Sequence, residues 1–260
     1  MKNRQAVIFL VCLGLFSCAS PQTRIKQAQE KREKDPEHQY NVGLEYLNRT
    51  DVDDAIKYLN KALALNPRHY QSLNALGLAY SMRGNFQESV NYYQKCLVIS
   101  PDFADAHNNL GMAYQELGYV DKAEEEFKKA VESSNYTKKD LPYCNLARLY
   151  FLRQDFEKAR LYVDYAIKLN SRSAQAYYLQ GLILENQNNI YGAIESFKMA
   201  VKIVPDDTNS SFRLGEAYFK SGELHRAAEI LEKIAPQVTD AEMKEKLNSY
   251  LKTIKEKGAA

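Results

Sequence analysis

A pattern of small and apolar positions recurs along most of the chain. The segments "YNVGLEY", "NALGLAY", "NNLGMAY", "CNLARLY", "YLQGLIL" and "FRLGEAY" each place a small residue among larger ones. These central residues are 34, 34, 36, 34 and 34 positions apart, and they are Gly43, Gly77, Gly111, Ala147, Gly181 and Gly215. A fixed period of this length predicts an array of helical hairpins that stack on one another.

Each unit also carries two further positions that such a hairpin needs. A second small residue follows at Ala55, Ser89, Ala123, Ala159, Ala193 and Ala227. A large residue comes next, at Leu59, Tyr93, Phe127, Val163, Phe197 and Leu231. Small residues let two helices approach closely, and the large ones fill the remaining space. Gly84, Gly118 and Gly222 fall between the two helices, where we expect a left-handed residue to end the first helix.

These segments resemble the tetratricopeptide repeat family, whose unit is a 34-residue helical hairpin. The resemblance implies an all-α fold, a right-handed superhelical solenoid of six hairpins plus a C-terminal capping helix. We predict the repeats across 36–241, with two extra residues near Lys138 and Lys139. The predicted bounds of the six repeats are 36–69, 70–103, 104–137, 140–173, 174–207 and 208–241.

The C-terminal segment 242–260 is predicted to form the capping helix and a short tail. Its apolar residues share one helical face by their spacing of three and four, and they are Met243, Leu247, Tyr250, Leu251 and Ile254. One apolar stripe opposite a polar face is what the terminal unit of a solenoid requires. A partner-binding helix is the alternative interpretation.

The N-terminus has the pattern of an export signal. Lys2 and Arg4 precede the apolar run 6–16, which is too short to cross a bilayer as a helix. The segment "LFSC" that follows resembles the bacterial lipobox. The resemblance implies a signal peptide over 1–17 and a lipid on Cys18, whereas an uncleaved anchor or a soluble export signal is the alternative.

The residues after Cys18 bear on location. Ala19 stands where many inner-membrane lipoproteins carry aspartate, so the lipobox resemblance implies the outer membrane, with the protein lipid-anchored on its periplasmic face. The segment 18–35 is polar and charged, with little to bury. We therefore predict that it is a flexible tether between the membrane and the folded repeats.

Composition adds few constraints. A hydrophobic content of 45% and a charged content of 26% are ordinary for a folded protein, and the formal net charge is only +2. This charge does not predict nucleic-acid binding. Cys96 and Cys144 fall in different repeats and are not expected to meet, although the sequence leaves their redox state open.

No catalytic or metal-binding motif is found in the sequence. It has no glycine-rich phosphate loop, no His-Glu-x-x-His and no Gly-x-Ser-x-Gly. The four histidines are scattered among different units, and His107 occupies a packing position. We therefore predict a protein that is not an enzyme, with no cofactor, metal, small-molecule substrate or nucleic-acid partner.

The resemblance implies that a partner protein contacts the first helix of each hairpin, because these helices line the concave surface in the family. Positions spaced by three and four share one face of such a helix. We call the predicted contact residues the first-helix strip: Tyr40, Leu44, Leu47, Asn74, Leu78, Asn108, Met112, Arg148, Phe151, Tyr178, Leu182, Phe212 and Phe219. The alternative is that several of them pack against the neighbouring helix.

The whole architecture resembles the pilotins, small outer-membrane lipoproteins of type IV pilus biogenesis. The resemblance implies a scaffold that binds secretin subunits and promotes their localisation and assembly at the outer membrane. One alternative is an envelope lipoprotein adaptor that recruits peptidoglycan-modifying enzymes. Another is a cytoplasmic adaptor whose N-terminus only looks like a signal.

Overall fold

The computed structural model describes residues 21–258, and within this range every regular element is an α-helix. The signal peptide predicted over 1–17 and the lipidation site Cys18 lie outside the described residues. The described chain divides into two compact units, 21–72 and 73–258. No helix in the described range is long and apolar enough to span a membrane.

The first unit contains α1 (Pro21–Glu33), α2 (Pro36–Asn48), α3 (Val52–Leu65) and the start of α4. Helices α2 and α3 pack closely together as a hairpin. A Cβ added to Gly43 on α2 would lie only 2.7 Å from the side chain of Leu59 on α3. Helix α1 occupies most of the segment for which the sequence predicts a flexible tether. Its lysines, glutamines and glutamates favour the helical backbone without requiring burial.

The second unit contains the greater part of α4 and ten further complete helices. Their bounds are α4 (Tyr70–Met82), α5 (Phe86–Ile99), α6 (Ala104–Glu116), α7 (Val120–Glu132), α8 (Asp140–Leu152), α9 (Phe156–Leu169), α10 (Ala174–Asn186), α11 (Ile190–Ile203), α12 (Thr208–Ser221) and α13 (Leu224–Ile234), followed by α14 (Ala241–Gly258). Consecutive pairs pack as hairpins, which we number 1 to 6 from α2–α3 to α12–α13. The prediction of an all-α array of six hairpins is confirmed.

The small residues of the repeat make this packing possible. A Cβ on Gly111 would lie 2.6 Å from Phe127, and one on Gly215 would lie 2.7 Å from Leu231. Ala123 and Phe127 are fully buried in the hairpin core. Larger residues at the small positions would therefore push the two helices of a hairpin apart.

A left-handed residue separates the two helices of every hairpin. Gly84, Gly118 and Gly222 take φ angles of 74°, 77° and 83°, as the sequence predicts. In the other three hairpins the same place is filled by Thr50, Gln154 and Asn188, with φ angles of 62°, 60° and 59°. The turn is therefore kept even where no glycine is available to adopt it at low cost.

Helix α14 covers the last hairpin. Leu247 is only 1% exposed and packs in one cluster with Phe212, Leu231 and Ile234. The solvent-facing side of α14 carries exposed charged residues, among them Lys246, whose Nζ lies 2.7 Å from Glu242 Oε1. The predicted capping helix is thus present, and it shields apolar surface that the last hairpin would otherwise expose.

Candidate protein-binding surface

Exposure divides the first-helix strip in the second unit into three classes. Leu78 on α4 and Met112 on α6 are 39% and 42% exposed. Asn74, Arg148, Phe151, Tyr178, Leu182 and Phe219 are half-buried. Asn108 and Phe212 are buried, each 6% exposed. The accessible part of the predicted surface is therefore centred on Leu78 and Met112.

Asparagine side chains link the first helices of hairpins 2, 3 and 4. Asn109 Nδ2 donates to Asn74 Oδ1 at 3.1 Å, and Asn145 Nδ2 donates to Asn108 Oδ1 at 2.9 Å. Arg148 Nη2 then donates to Asn145 Oδ1 at 3.3 Å. We call this chain of contacts the amide ladder. It crosses the helix interfaces at α4–α6 and α6–α8.

The amide ladder changes the roles that the sequence suggests for two strip residues. The side-chain carbonyls of Asn74 and Asn108 already accept hydrogen bonds within the protein. A buried amide with a satisfied partner mainly fixes the register between helices. The first-helix strip does not include Asn109 and Asn145, and their only signal in the sequence is that both lie two residues before the central small residue of their repeat.

At the C-terminal end, α14 lies against the strip. The ring of Tyr250 is 4.7 Å from that of Phe219 and 6.4 Å from that of Phe212. The hydroxyl of Tyr250 donates to Glu216 Oε1 at 2.9 Å. The chain itself thus covers the strip residues of hairpin 6, whereas Leu78 and Met112 stay open.

Glu216 is a buried carboxylate held by three partners. Arg213 Nη1 lies 2.9 Å from Glu216 Oε2, and Lys220 Nζ lies 3.2 Å from Oε1. Burial alone would raise the pKa of Glu216, but the hydrogen bond from Tyr250 and the charges of Lys220 and Arg213 outweigh it, so the pKa lies below its usual value. The same contact and burial raise the pKa of Tyr250 to about 12.

In the first unit the strip residues are less accessible than Leu78. Tyr40 and Leu44 are half-buried, and Leu47 is 6% exposed. The ring of Tyr40 lies 5.2 Å from the imidazole of His69. Leu47 therefore contributes mainly to the core of its own hairpin.

Hairpins 5 and 6 border a cleft of about 730 Å³ whose lining includes Gln175, Tyr178, Val204 and Asp206. Tyr178, a strip residue, forms one wall, and its ring is 5.9 Å from that of Phe197. The cleft combines an aromatic wall with amide and carboxylate groups. It extends the accessible part of the strip beyond Met112.

His107 faces a hydrogen-bond acceptor on each side of its ring. Its Nδ1 lies 2.6 Å from Glu126 Oε2, and its Nε2 lies 2.7 Å from the carbonyl oxygen of Pro101. Both partners are acceptors, so the imidazole donates from both nitrogens only when it is protonated. Burial lowers the pKa of His107, but these two contacts outweigh it and raise the pKa overall.

The remaining candidate chemistry is buried or dispersed. Cys96 and Cys144 are free thiols inside the core, and burial raises their pKa values to about 12 and about 11. Within residues 21–258, no three His, Cys, Asp or Glu side chains form a group able to hold a metal ion. The accessible features of this surface are thus apolar, amide and aromatic groups, which suit contacts with another protein.

Comparison with known families supports this description. Six segments match family models described as "TPR repeat" or "Tetratricopeptide repeat". The matched residues are 39–69, 58–91, 82–118, 104–136, 144–208 and 210–235.

Two curated relatives match part of the chain. The TPR repeat-containing protein MJ1428 of Methanocaldococcus jannaschii is 27% identical over 95 residues, which are 36% of this chain and 17% of that protein. The CTR9 homolog of Arabidopsis thaliana is 28% identical over 95 residues, which are 35% of this chain and 9% of that protein. The chain therefore spans only a small part of the length of these relatives.

Three solved structures share the fold over most of the chain. PilF of Pseudomonas aeruginosa gives a TM-score of 0.74 at 16% identity, covering 84% of this chain and 99% of that one. PilW, described as a widely conserved type IV pilus biogenesis factor, gives 0.73 at 16% identity, covering 82% and 97%. The APC/C hetero-tetramer Cut9–Hcn1 gives 0.75 at 16% identity, covering 88% and 44%. At this identity the likeness shows the fold alone.

Proposed function

The chain belongs to the tetratricopeptide-repeat family of protein-interaction scaffolds, and from this premise we propose that it is a pilotin. In this role it is anchored to the outer membrane through a lipid on Cys18 and binds secretin subunits on the periplasmic face. Binding promotes the localisation and assembly of the secretin for type IV pili.

The observation that carries this proposal is the extent of the likeness to PilF and PilW. The superposition takes in 99% and 97% of those two chains, against 44% of the Cut9–Hcn1 chain. Six hairpins and a terminal helix therefore correspond to nearly the whole of proteins of which one is described as a pilus biogenesis factor. The lipobox-like segment that ends at Cys18 supports the proposed lipid anchor at the outer membrane.

The surface offered to the secretin is the accessible part of the first-helix strip. Leu78 and Met112 project from α4 and α6, whose relative register the amide ladder fixes. A rigid pair of exposed apolar side chains lowers the entropy cost of binding, because the contact groups are already in place. We assign these two residues as the main secretin anchors.

Two experiments test the proposal. The first is metabolic labelling with a palmitate analogue, where we expect label on the wild type and none on Cys18→Ala. The second is a crosslinked pull-down from the native envelope, followed by mass spectrometry. We expect a secretin among the captured proteins of the wild type and its loss in the double variant Leu78→Glu with Met112→Lys.

A matched control separates loss of binding from a general effect of new charges. Val98→Glu with Tyr191→Lys adds the same two charges at residues that are 82% and 72% exposed on second helices. The control should capture the secretin as the wild type does. Capture of cell-wall hydrolases without any secretin would contradict the pilotin assignment and favour a scaffold for peptidoglycan-modifying enzymes.

A further inference from the structure

The second helix of hairpin 4 exposes three large apolar side chains in one row. On α9, Leu161, Tyr165 and Leu169 are 49%, 43% and 56% exposed. Their spacing of four residues places them on one face of the helix. Single exposed apolar residues are normal on a soluble protein, whereas contiguous ones mark an interaction surface. This row lies on a second helix and is therefore separate from the first-helix strip.

The other hairpins of the same chain show that the fold does not require this row. At the position of Leu161 they carry Lys57, Asn91, Glu125, Glu195 and Glu229. At the position of Tyr165 they carry Lys61, Lys95, Lys129, Met199 and Lys233. At the position of Leu169 they carry Leu65, Ile99, Ser133, Ile203 and Gln237. Hairpin 4 alone among the six is apolar at all three, so packing does not explain the row.

Tyr165 is held in place by other tyrosines. Its ring centroid lies 5.3 Å from that of Tyr143, which is 6.1 Å from that of Tyr162. Tyr162 in turn stacks on Tyr150 at 5.4 Å. A tyrosine already fixed in its bound position offers a large contact area at low entropic cost.

The charges at one end of the row are positive. Lys168 follows Tyr165 by three residues and so shares its face, and Arg172 follows in the turn after the helix. Among the described residues, neither side chain forms an ion pair. The nearby carboxylate of Asp164 forms an ion pair with Arg160, whose Nε lies 3.9 Å from Asp164 Oδ2, and it accepts a hydrogen bond from Gln180 at 3.3 Å. An incoming partner therefore meets two cations that lack a counter-ion.

We propose that this face of α9 is a second docking surface, which binds an amphipathic helix of a partner protein with acidic residues beside its apolar ridge. We call it the α9 face: Leu161, Tyr165, Leu169, Lys168 and Arg172. The two ends of the row, Leu161 and Leu169, are eight residues apart, or roughly 12 Å at about 1.5 Å per residue. A ridge of side chains three and four apart on a partner helix matches this length and packs against it. Carboxylates beside the ridge complement Lys168 and Arg172.

The experiment identifies the partner segment and then tests the surface. The full-length chain carries p-benzoyl-phenylalanine in place of Leu161 and is photocrosslinked in its native cells. Crosslinked peptides are sequenced, and the captured segment is synthesised and titrated on the purified protein. We expect a segment with apolar residues three and four apart and with Asp or Glu beside them.

The chain supplies its own substitution set for this surface. The triple variant Leu161→Glu, Tyr165→Lys and Leu169→Ser gives hairpin 4 the residues that hairpin 3 carries there, so it retains residues that this repeat accepts. We expect it to weaken peptide binding at least tenfold. The control Lys57→Glu with Leu65→Ser makes related changes in hairpin 1 and should bind as the wild type does.

Several outcomes would overturn the proposal. Crosslinks to lipid, crosslinks to a second copy of this chain, or unchanged binding by the triple variant would each do so. So would a crosslink yield no higher than that of a control chain with p-benzoyl-phenylalanine in place of Lys95, which stands in hairpin 2 at the position of Tyr165. A captured segment that lacks acidic residues would do the same. The proposal does not depend on the pilotin assignment, because loss of secretin capture in the Leu78 and Met112 variant leaves the α9 face intact.

Discussion

Hairpins 3 and 6 place equivalent residues in opposite surroundings. Met112 and Glu216 each follow the central glycine of their repeat, yet Met112 is 42% exposed and Glu216 is 8% exposed. The difference lies in the helix that stacks next. In α14, Tyr250 reaches across to Glu216, whereas Arg148 in α8 contacts Asn145 on its own helix. The neighbouring helix, rather than the repeat position, decides whether a residue at this position is exposed or is buried in a contact between helices.

The two hairpins also neutralise a buried carboxylate in different ways. In hairpin 3, Glu126 is paired with His107 and with Lys129 at 2.9 Å, both from the same hairpin. In hairpin 6, Arg213 and Lys220 of the same helix neutralise Glu216, and the Tyr250 hydroxyl of α14 adds a hydrogen bond from outside the hairpin. Hairpin 3 therefore supplies all the partners of Glu126 itself, whereas hairpin 6 takes one partner of Glu216 from the terminal helix.

Removal of the main apolar contact of α14 should have the largest effect. Leu247 is 1% exposed in the cluster that covers hairpin 6. We expect Leu247→Ala to lower the free energy of unfolding by about 2–5 kcal/mol, because it leaves a cavity. Chemical denaturation measures this change, and hydrogen exchange should speed up in α12 and α13 more than in α6 and α7. The control Lys246→Ala, at an exposed neighbour, should stay within about 0.5 kcal/mol.

Substitutions that break the buried contact between Glu216 and Tyr250 should cause the next largest loss of stability. We expect Glu216→Gln to cost about 1–3 kcal/mol, since buried partners lose a charged acceptor. Tyr250→Phe should cost about 1 kcal/mol for the same reason. In a double-mutant cycle the two changes should couple, because the hydroxyl and the carboxylate share one hydrogen bond. Additive losses would show that Tyr250 stabilises α14 only through its ring.

The pH dependence should separate the two hairpins. Folding raises the pKa of His107 above its ordinary 6.5, so its contribution to stability is complete below about pH 6.5 and is lost as pH rises through the folded-state pKa. Folding lowers the pKa of Glu216 below its ordinary 4.5. Its contribution is therefore complete above about pH 4.5 and is lost as pH falls.

Denaturation at a series of pH values measures both effects. Above pH 6.5 we expect a fall in stability with a slope of at most about 1.4 kcal/mol per pH unit for one proton, and the variant His107→Gln should lose this slope. On the acid side, Glu216→Gln should reduce the slope. An alkaline slope that persists in His107→Gln would assign it to a different group.

The sequence predicts the fold because the residues that define the repeat contact one another within a single hairpin. Gly111 and Phe127 meet in the core, and their spacing is visible along the chain. Exposure on the first-helix strip depends instead on contacts between repeats. Neither the hydrogen bond from Tyr250 to Glu216 nor the one from Asn145 to Asn108 is encoded by any local periodicity. The sequence consequently places the strip but does not tell its open residues from its buried ones.

The smallest change in stability should come from giving hairpin 3 the residue that hairpin 6 carries. Met112→Glu puts a carboxylate on an exposed site, where it stays hydrated, so we expect the free energy of unfolding to change by no more than about 0.5 kcal/mol. The reverse change, Glu216→Met, removes the acceptor for Tyr250 and the counter-ion for Arg213, and it should cost about 1–3 kcal/mol. Denaturation of both variants tests whether the surroundings, rather than the residue type, set the energetics of this position. Equal losses in the two variants would mean that Met112 supports its hairpin as Glu216 does, and it would then be a poor candidate for a surface reserved for a partner.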